Sequence, residues 1–91
     1  MKKIRASHIL VRHQYEADDI LRALREGKNF EELAQKYSQC SSAKSGGDLG
    51  WFSEGRMDDS FEEAVLMLKA GQTSSTAVRT KFGYHIIKRT A

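Results

Sequence analysis

The sequence has one cysteine in 91 residues, no apolar run long enough to cross a membrane, no internal repeat and no low-complexity segment. One cysteine, Cys40, cannot close an internal disulfide, which suits a reducing compartment. The start, MKKIRASHILV, is basic and then briefly apolar, but it soon reaches His13 and acidic residues with no small-residue cleavage pattern. It therefore reads as neither a signal peptide nor a membrane span. Charge of one sign is nowhere concentrated: 15 basic and 12 acidic residues are interleaved, for a net charge of +3. A nucleic-acid binder would cluster its cations, so the expectation is a solvated surface with no nucleic-acid partner. The length leaves room for one core, a single domain over residues 1–91, large enough to fold without staples at about 5 to 13 kcal/mol of stability.

What is present is concentrated between Tyr37 and Phe61. YSQCSSAKSGGDLGWFSEGRMDDSF holds the lone Cys40, the lone Trp51, the small or flexible positions Ser41, Ser42, Ser45, Gly46 and Gly47, and then Met57 and Phe61 four apart. Turn residues at that density beside large apolar ones suggest a binding surface. Whether Trp51 and Phe52 belong to the core or to a contact patch is left open by the pattern.

In chain order, Lys3 to Val11 alternates, with Ile4, Ala6, His8 and Leu10 on one parity and Arg5, Ser7, Ile9 and Val11 on the other. This predicts a strand covered on both faces. Ala17, Ile20, Leu21 and Leu24 form an amphipathic stripe, predicting a helix from about Tyr15 to Glu26 that Gly27 stops. Asn29 with Glu32 has capping-box spacing, and Phe30, Leu33, Ala34 and Tyr37 repeat the stripe, so a second helix ends near Tyr37. After the serine- and glycine-rich loop, Asp48 to Phe52 makes a short strand. Ser60 with Glu63 again fits a capping box, and Phe61, Ala64, Val65 and Leu68 give a third helical stripe closed by Gly71, with Asp58 and Asp59 favouring its dipole. Thr76–Thr80 and Gly83–Arg89 read as a hairpin turning through Lys81 and Phe82. The order β-α-α-β-α-β-β predicts an α+β domain with a small, mainly antiparallel sheet and helices on its faces.

Three residues stand out as carriers of chemistry: His8, Cys40 and His85. A lone histidine in a strand is most often a satisfied core residue. If the two strands are neighbours, however, the imidazoles of His8 and His85 satisfy each other by a hydrogen bond that also fixes their tautomers. A cysteine with a histidine is also the raw material of a thiolate nucleophile, but no cysteine-hydrolase context surrounds Cys40. Cys40, His8 and His85 lack recognisable metal-ligand spacing, so no metal and no cofactor are expected. Leu49, Met57 and Phe61 can be ordinary core.

Four separated motifs then converge on one family. ASHILV with His8, ELAQKYSQCSSAKSGGDLGWF, GRMDDSF with its Met and Phe four apart, and FGYHIIKR with His85 resemble, in order and spacing, the parvulin-type peptidyl-prolyl cis/trans isomerases over nearly the whole chain. The resemblance implies a four-stranded, mainly antiparallel sheet surrounded by helices, an apolar proline pocket from Leu49, Met57 and Phe61 with Phe82 as a further wall, and a polar cluster of His8, Cys40, Thr80 and His85. It implies an isomerase acting on X-Pro bonds in peptides and unfolded proteins, as a monomer, away from membranes and without a covalent adduct, since relatives tolerate Asp where Cys40 stands. The other reading is a parvulin module that holds substrate without turnover. Phosphate-directed parvulins carry an extended basic loop after the first strand, whereas Val11 here is followed by the short and soon acidic RHQYEADD. The expectation is therefore a phosphorylation-independent enzyme, and acidic Asp58 is expected to disfavour acidic residues near the proline. A domain that begins at Met1 with no targeting segment suits the cytoplasm.

Overall fold

In the computed structural model, which describes residues 3–91, the alternation of the first strand decides how the layers stack. Met1 and Lys2, the opening of the basic start, lie outside the described residues. Strand β1 (Lys3–Val11) is central: it pairs antiparallel with β2 (Asp48–Ser53) on one side and with β4 (Gly83–Arg89) on the other. Strand β3 (Val78–Thr80) closes the order β2-β1-β4-β3, again antiparallel. Because successive side chains of a strand point to opposite faces, Ile9 and Val11 serve one layer while Ile4, Ala6 and His8 serve the other.

Helices α1 (Gln14–Arg25) and α2 (Phe30–Tyr37) cover the first face, where Ala17, Ile20, Leu21, Phe30 and Ala34 pack on Ile9, Val11 and Ile86. Helix α3 (Asp59–Leu66) covers the second, setting Phe61 and Val65 against Ile4, Ala6, Phe52 and Ile87. Burying each such side chain contributes about 1.5 to 3 kcal/mol, so a polar residue among them needs a partner. Asn29 caps α2 by accepting from the Glu32 N–H at 3.0 Å. Gly27, at φ +92°, ends α1 one residue past its cap.

Several boundaries move. Helix α1 runs one residue earlier than predicted at both ends, its start supported by the His13 N–H donating to Glu16 at 3.1 Å. The cap of α3 is Asp58, not Ser60, because the Asp58 carboxylate accepts from the N–H groups of Ser60 and Phe61 at 2.9 and 3.4 Å and starts the helix sooner. That helix ends at Leu66, well before Gly71, and Leu68 reaches the core from beyond it. The loop is not irregular throughout: Ser41–Ser45 coil into a 3₁₀ turn. Strand β2 extends to Ser53, whereas β3 is only three residues long and does not begin at Thr76.

Gly47 shows why the loop needs glycine. It sits at φ +88°, its carbonyl accepts from the His8 N–H at 2.9 Å, and a Cβ there would stand 2.4 Å from the His8 carbonyl oxygen. The loop thus lies flat against β1 at the histidine itself.

Candidate functional site

His8 enters from β1 and His85 from the neighbouring β4, on the same face, because Leu10 pairs with His85 and His8 with Ile87. The diagonal offset brings Nδ1 of one ring to 2.9 Å from Nδ1 of the other, with the rings stacked at 21°. Both are nearly sealed, at 5% and 4% exposure. His85 Nε2 lies 2.7 Å from the Thr80 hydroxyl, and that oxygen accepts the Phe82 N–H at 3.2 Å. A chain of hydrogen bonds therefore runs inward from the exposed Phe82 backbone through Thr80 to the buried His85 and His8.

The chain constrains protonation. Two rings cannot both aim N–H groups into one 2.9 Å gap, so at least one Nδ1 must be bare. Burial, reinforced by the charge His85 would carry, pushes His8 down to about 4. Burial also lowers His85, against an opposing pull from the Asp58 carboxylate. Both imidazoles are accordingly neutral at neutral pH. If the Thr80 hydroxyl donates to His85 Nε2, then His85 donates from Nδ1 and His8 keeps its proton on Nε2; the reverse direction leaves that nitrogen bare. Either way the His8 Nε2 is buried without a hydrogen-bond partner among the described residues, as is the Ser42 hydroxyl.

An aromatic wall stands against the pair. Phe61 meets His8 edge to face, with centroids 5.6 Å apart, and His85 at 5.3 Å. Leu49 and Met57 are half-buried and pack against the cluster that contains Phe61. The histidine pair thus forms the polar floor of an otherwise apolar region. Among the described residues no three His, Cys, Asp or Glu side chains converge as a metal site would require.

Cys40 and Phe82 are placed differently. Cys40 precedes the 3₁₀ turn, half-buried, with no described hydrogen bond to its sulfur. Its backbone is tied to the end of β1: the Ser38 hydroxyl accepts from the N–H groups of Leu10 and Cys40 at 3.0 and 3.4 Å, and Gln39 N–H donates to the Leu10 carbonyl at 2.7 Å. The structure therefore brings His8, His85, Thr80 and Phe61 into direct contact and sets Cys40 near the same strand without joining it to the chain. Phe82 is 62% exposed at the β3–β4 turn, outside the packed cluster.

One residue of the neighbourhood escaped the sequence reading. Glu62 is buried on α3, and its carboxylate accepts the N–H groups of Gly55 and Met57. The available signal was an acidic residue three positions before the fully buried Val65, on the apolar side of the helix. Between β1 and α1 only Arg12 and His13 intervene, both exposed. No helix of the described residues is long and apolar enough to cross a membrane.

Residues 8–91 match the family model described as Rotamase, the PPIC-type PPIase domain. The chain is 53% identical over 89 residues to the Foldase protein PrsA of Bacillus subtilis, covering 97% of this chain and 30% of that relative. It is 44% identical over 115 aligned positions to the peptidyl-prolyl cis-trans isomerase Pin1 of Arabidopsis thaliana, covering 98% of this chain and 96% of that relative. Among solved structures it superposes on PrsA from Bacillus anthracis with a TM-score of 0.95 at 49% identity, covering 98% of this chain and 41% of that one. It superposes on NmPin, the parvulin of Nitrosopumilus maritimus, at 0.86 and 44% identity, covering 100% and 98%. The chain thus spans less than a third of the PrsA foldase it matches and almost the whole of the plant relative.

Proposed function

Because the chain belongs to the PPIC-type peptidyl-prolyl isomerase family, the parvulins, we propose that it accelerates cis/trans exchange about X-Pro bonds in flexible or unfolded protein segments. The observation that carries this is the neutral hydrogen-bonded chain of Thr80, His85 and His8 lying against Phe61, whose core cluster Leu49 and Met57 pack against.

The chemistry asks for little else. Rotation about the peptide bond costs about 18 to 20 kcal/mol because it removes amide resonance, and no bond to the protein need form. A site accelerates rotation by gripping the proline ring, excluding water and fitting the twisted amide better than either planar form. In this reading Leu49, Met57 and Phe61 hold the ring, and Phe82 serves as an outer wall reached at the rim. Thr80, His85 and His8 keep the floor in one shape, while Cys40 tunes the field near the carbonyl without forming an adduct. Burying roughly 100 Å² of ring at about 25 cal/mol per Å² gives about 2.5 kcal/mol. Short peptides should accordingly bind weakly, near millimolar.

The substrate need not be phosphorylated. Two residues between β1 and α1 leave no room there for an extended cationic loop, and a phosphate wants several cations in register. The alignment with the plant Pin1 has 115 positions against 91 residues here, so that relative carries at least 24 that this chain lacks. The reading extends to the whole unit: residues 1–91 act as one domain, as a monomer on peptide, with no nucleic-acid or membrane partner. The half-buried thiol of Cys40 suits the reducing cytoplasm.

NMR exchange spectroscopy on paired unphosphorylated and phosphorylated X-Pro peptides tests this, with wild type, Met57→Ala and Cys40→Ala. Acceleration by wild type that falls at least tenfold in Met57→Ala, with less than tenfold preference for phosphopeptide, is the expected result. Peptides that bind without faster exchange would instead mark a holding module.

A further inference from the structure

Glu62 pairs with no cation among the described residues, yet it is only 9% exposed. A carboxylate leaves water at tolerable cost only where N–H groups replace the water, and here they come from one short turn. The Gly55 N–H donates to both oxygens at 2.9 and 3.0 Å, and the Met57 N–H donates to Oε2 at 2.7 Å. Hydrogen bonding from Gly55 first, then Met57, holds the carboxyl below its usual 4.5, so it is ionised at neutral pH.

The turn matters because of what it carries. Gly55 takes φ +91°, a conformation that lacks the support of a helix or strand, and Met57 precedes the Asp58 cap of α3. The position of Met57 is thus set by no regular element. Phe61, which lies against the histidine pair, directly precedes Glu62 on α3, so one helix turn presents the aromatic wall and grips the backbone of the thioether wall. Asp58 does not share this duty, since its bonds run forward to Ser60 and Phe61.

We propose that Glu62 is a positioning residue of the proline site: its carboxylate fixes the Gly55–Met57 turn, and so holds the Met57 side chain beside Phe61 as a rigid wall of the pocket. This rests on the isomerase reading above. A wall held by its backbone loses no ordering entropy when substrate arrives, whereas a loose one must be ordered on every encounter.

The test compares Glu62→Gln with wild type, Met57→Ala and Asn29→Ala, the last removing the cap of α2 on the opposite face of the sheet. Glutamine keeps the volume but turns an NH₂ group toward N–H donors. The expected loss in kcat/KM for Glu62→Gln is about tenfold or more, with KM for an unphosphorylated X-Pro peptide raised and the imidazole nitrogen shifts of His8 and His85 unmoved. Asn29→Ala should lose stability while keeping turnover within twofold. In wild type, the amide protons of Gly55 and Met57 should titrate together, below the usual carboxylate range.

Turnover by Glu62→Gln within twofold of wild type, while Met57→Ala loses it, would overturn the role. So would a loss matched by Asn29→Ala at equal stability. Should Glu62→Gln fail to fold, the wild-type titration still decides: no shared transition at the two amides overturns the clamp. A wild type that does not accelerate exchange at all overturns the isomerase reading itself, an outcome distinct from a fast wild type beside a fast Glu62→Gln.

Discussion

Acid should weaken this protein through its two buried histidines before its carboxylates titrate. His8 is held at about 4 in the folded chain, against about 6.5 when unfolded. Between those values the unfolded chain takes up a proton that the folded chain refuses, so stability is full above the upper value and falls as pH drops toward the lower. At 1.36 kcal/mol per unit, His8 alone removes about 3 kcal/mol in the limit and about 2 kcal/mol between about pH 7 and about pH 5. His85 moves in the same direction, because its burial outweighs the opposing Asp58 charge. Glu62 and Asp48 are lowered rather than raised, held by N–H and Arg5 partners; their contribution is lost only below the ordinary carboxylate range and does not intrude in this window. Set against about 5 to 13 kcal/mol in total, a loss of that size is easily measured. Urea unfolding of wild type and of His8→Gln/His85→Gln at the two pH values checks it. The expected result is a steep loss for wild type and a shallow one for the double variant. Equal losses, or a wild type that gains stability on acidification, would refute the reasoning that the pair is buried neutral.

Two further outcomes follow from the backbone and the composition. Gly47→Ala should cost more than about 2 kcal/mol, since a left-handed residue costs about 1 to 2 kcal/mol by itself and the new Cβ would also meet the His8 carbonyl. Gly50→Ala, at φ +73° with nothing within 4 Å, should cost only the first part, so paired denaturation curves in which Gly47→Ala is the milder would disprove the close approach. The chain contains no proline, so its own refolding should show no phase of tens to hundreds of seconds and should not respond to added folded protein. A slow phase in stopped-flow and manual-mixing refolding that added protein accelerates would contradict this.

The parts of the fold that were legible in the residues are those with a period. The alternation in β1 assigned Ile9 and Val11 to one layer and Ile4, Ala6 and His8 to the other, and the stripes of α1 and α2 ended within a residue of where the chain ends them. Capping was less legible: Asp58 and Ser60 are both good caps, and only the three-dimensional path of the turn decides for Asp58. The order β2-β1-β4-β3 has no local signature, because pairing the first strand with the last depends on both faces being buried at once. Phe52 and Trp51 sit next to each other with opposite fates, buried and 57% exposed, which follows once β2 is an edge strand of known register. The histidine pair was visible as two polar residues in apolar strands. Glu62 was legible only as an acidic residue on the apolar side of α3, since its partners are backbone N–H groups that no side-chain pattern announces.

That distribution bears on how the site is made. His8 and His85 are 77 residues apart, and only the β1–β4 ladder brings their nitrogens together. A half-formed sheet would leave two unpaired imidazoles facing an apolar layer, which is costly, so the pair opposes partly folded states as well as shaping the pocket. Phe61 joins both functions, since it packs into the α3 layer with Phe52 and also lies on both rings. The proposed proline site therefore rests on the core of the second layer: Phe61 belongs to that core, and the half-buried Leu49 and Met57 pack against it. Its rigidity comes from the same burial that holds the sheet together, while the Gly55–Met57 turn, which belongs to no helix or strand, is held by the Glu62 carboxylate.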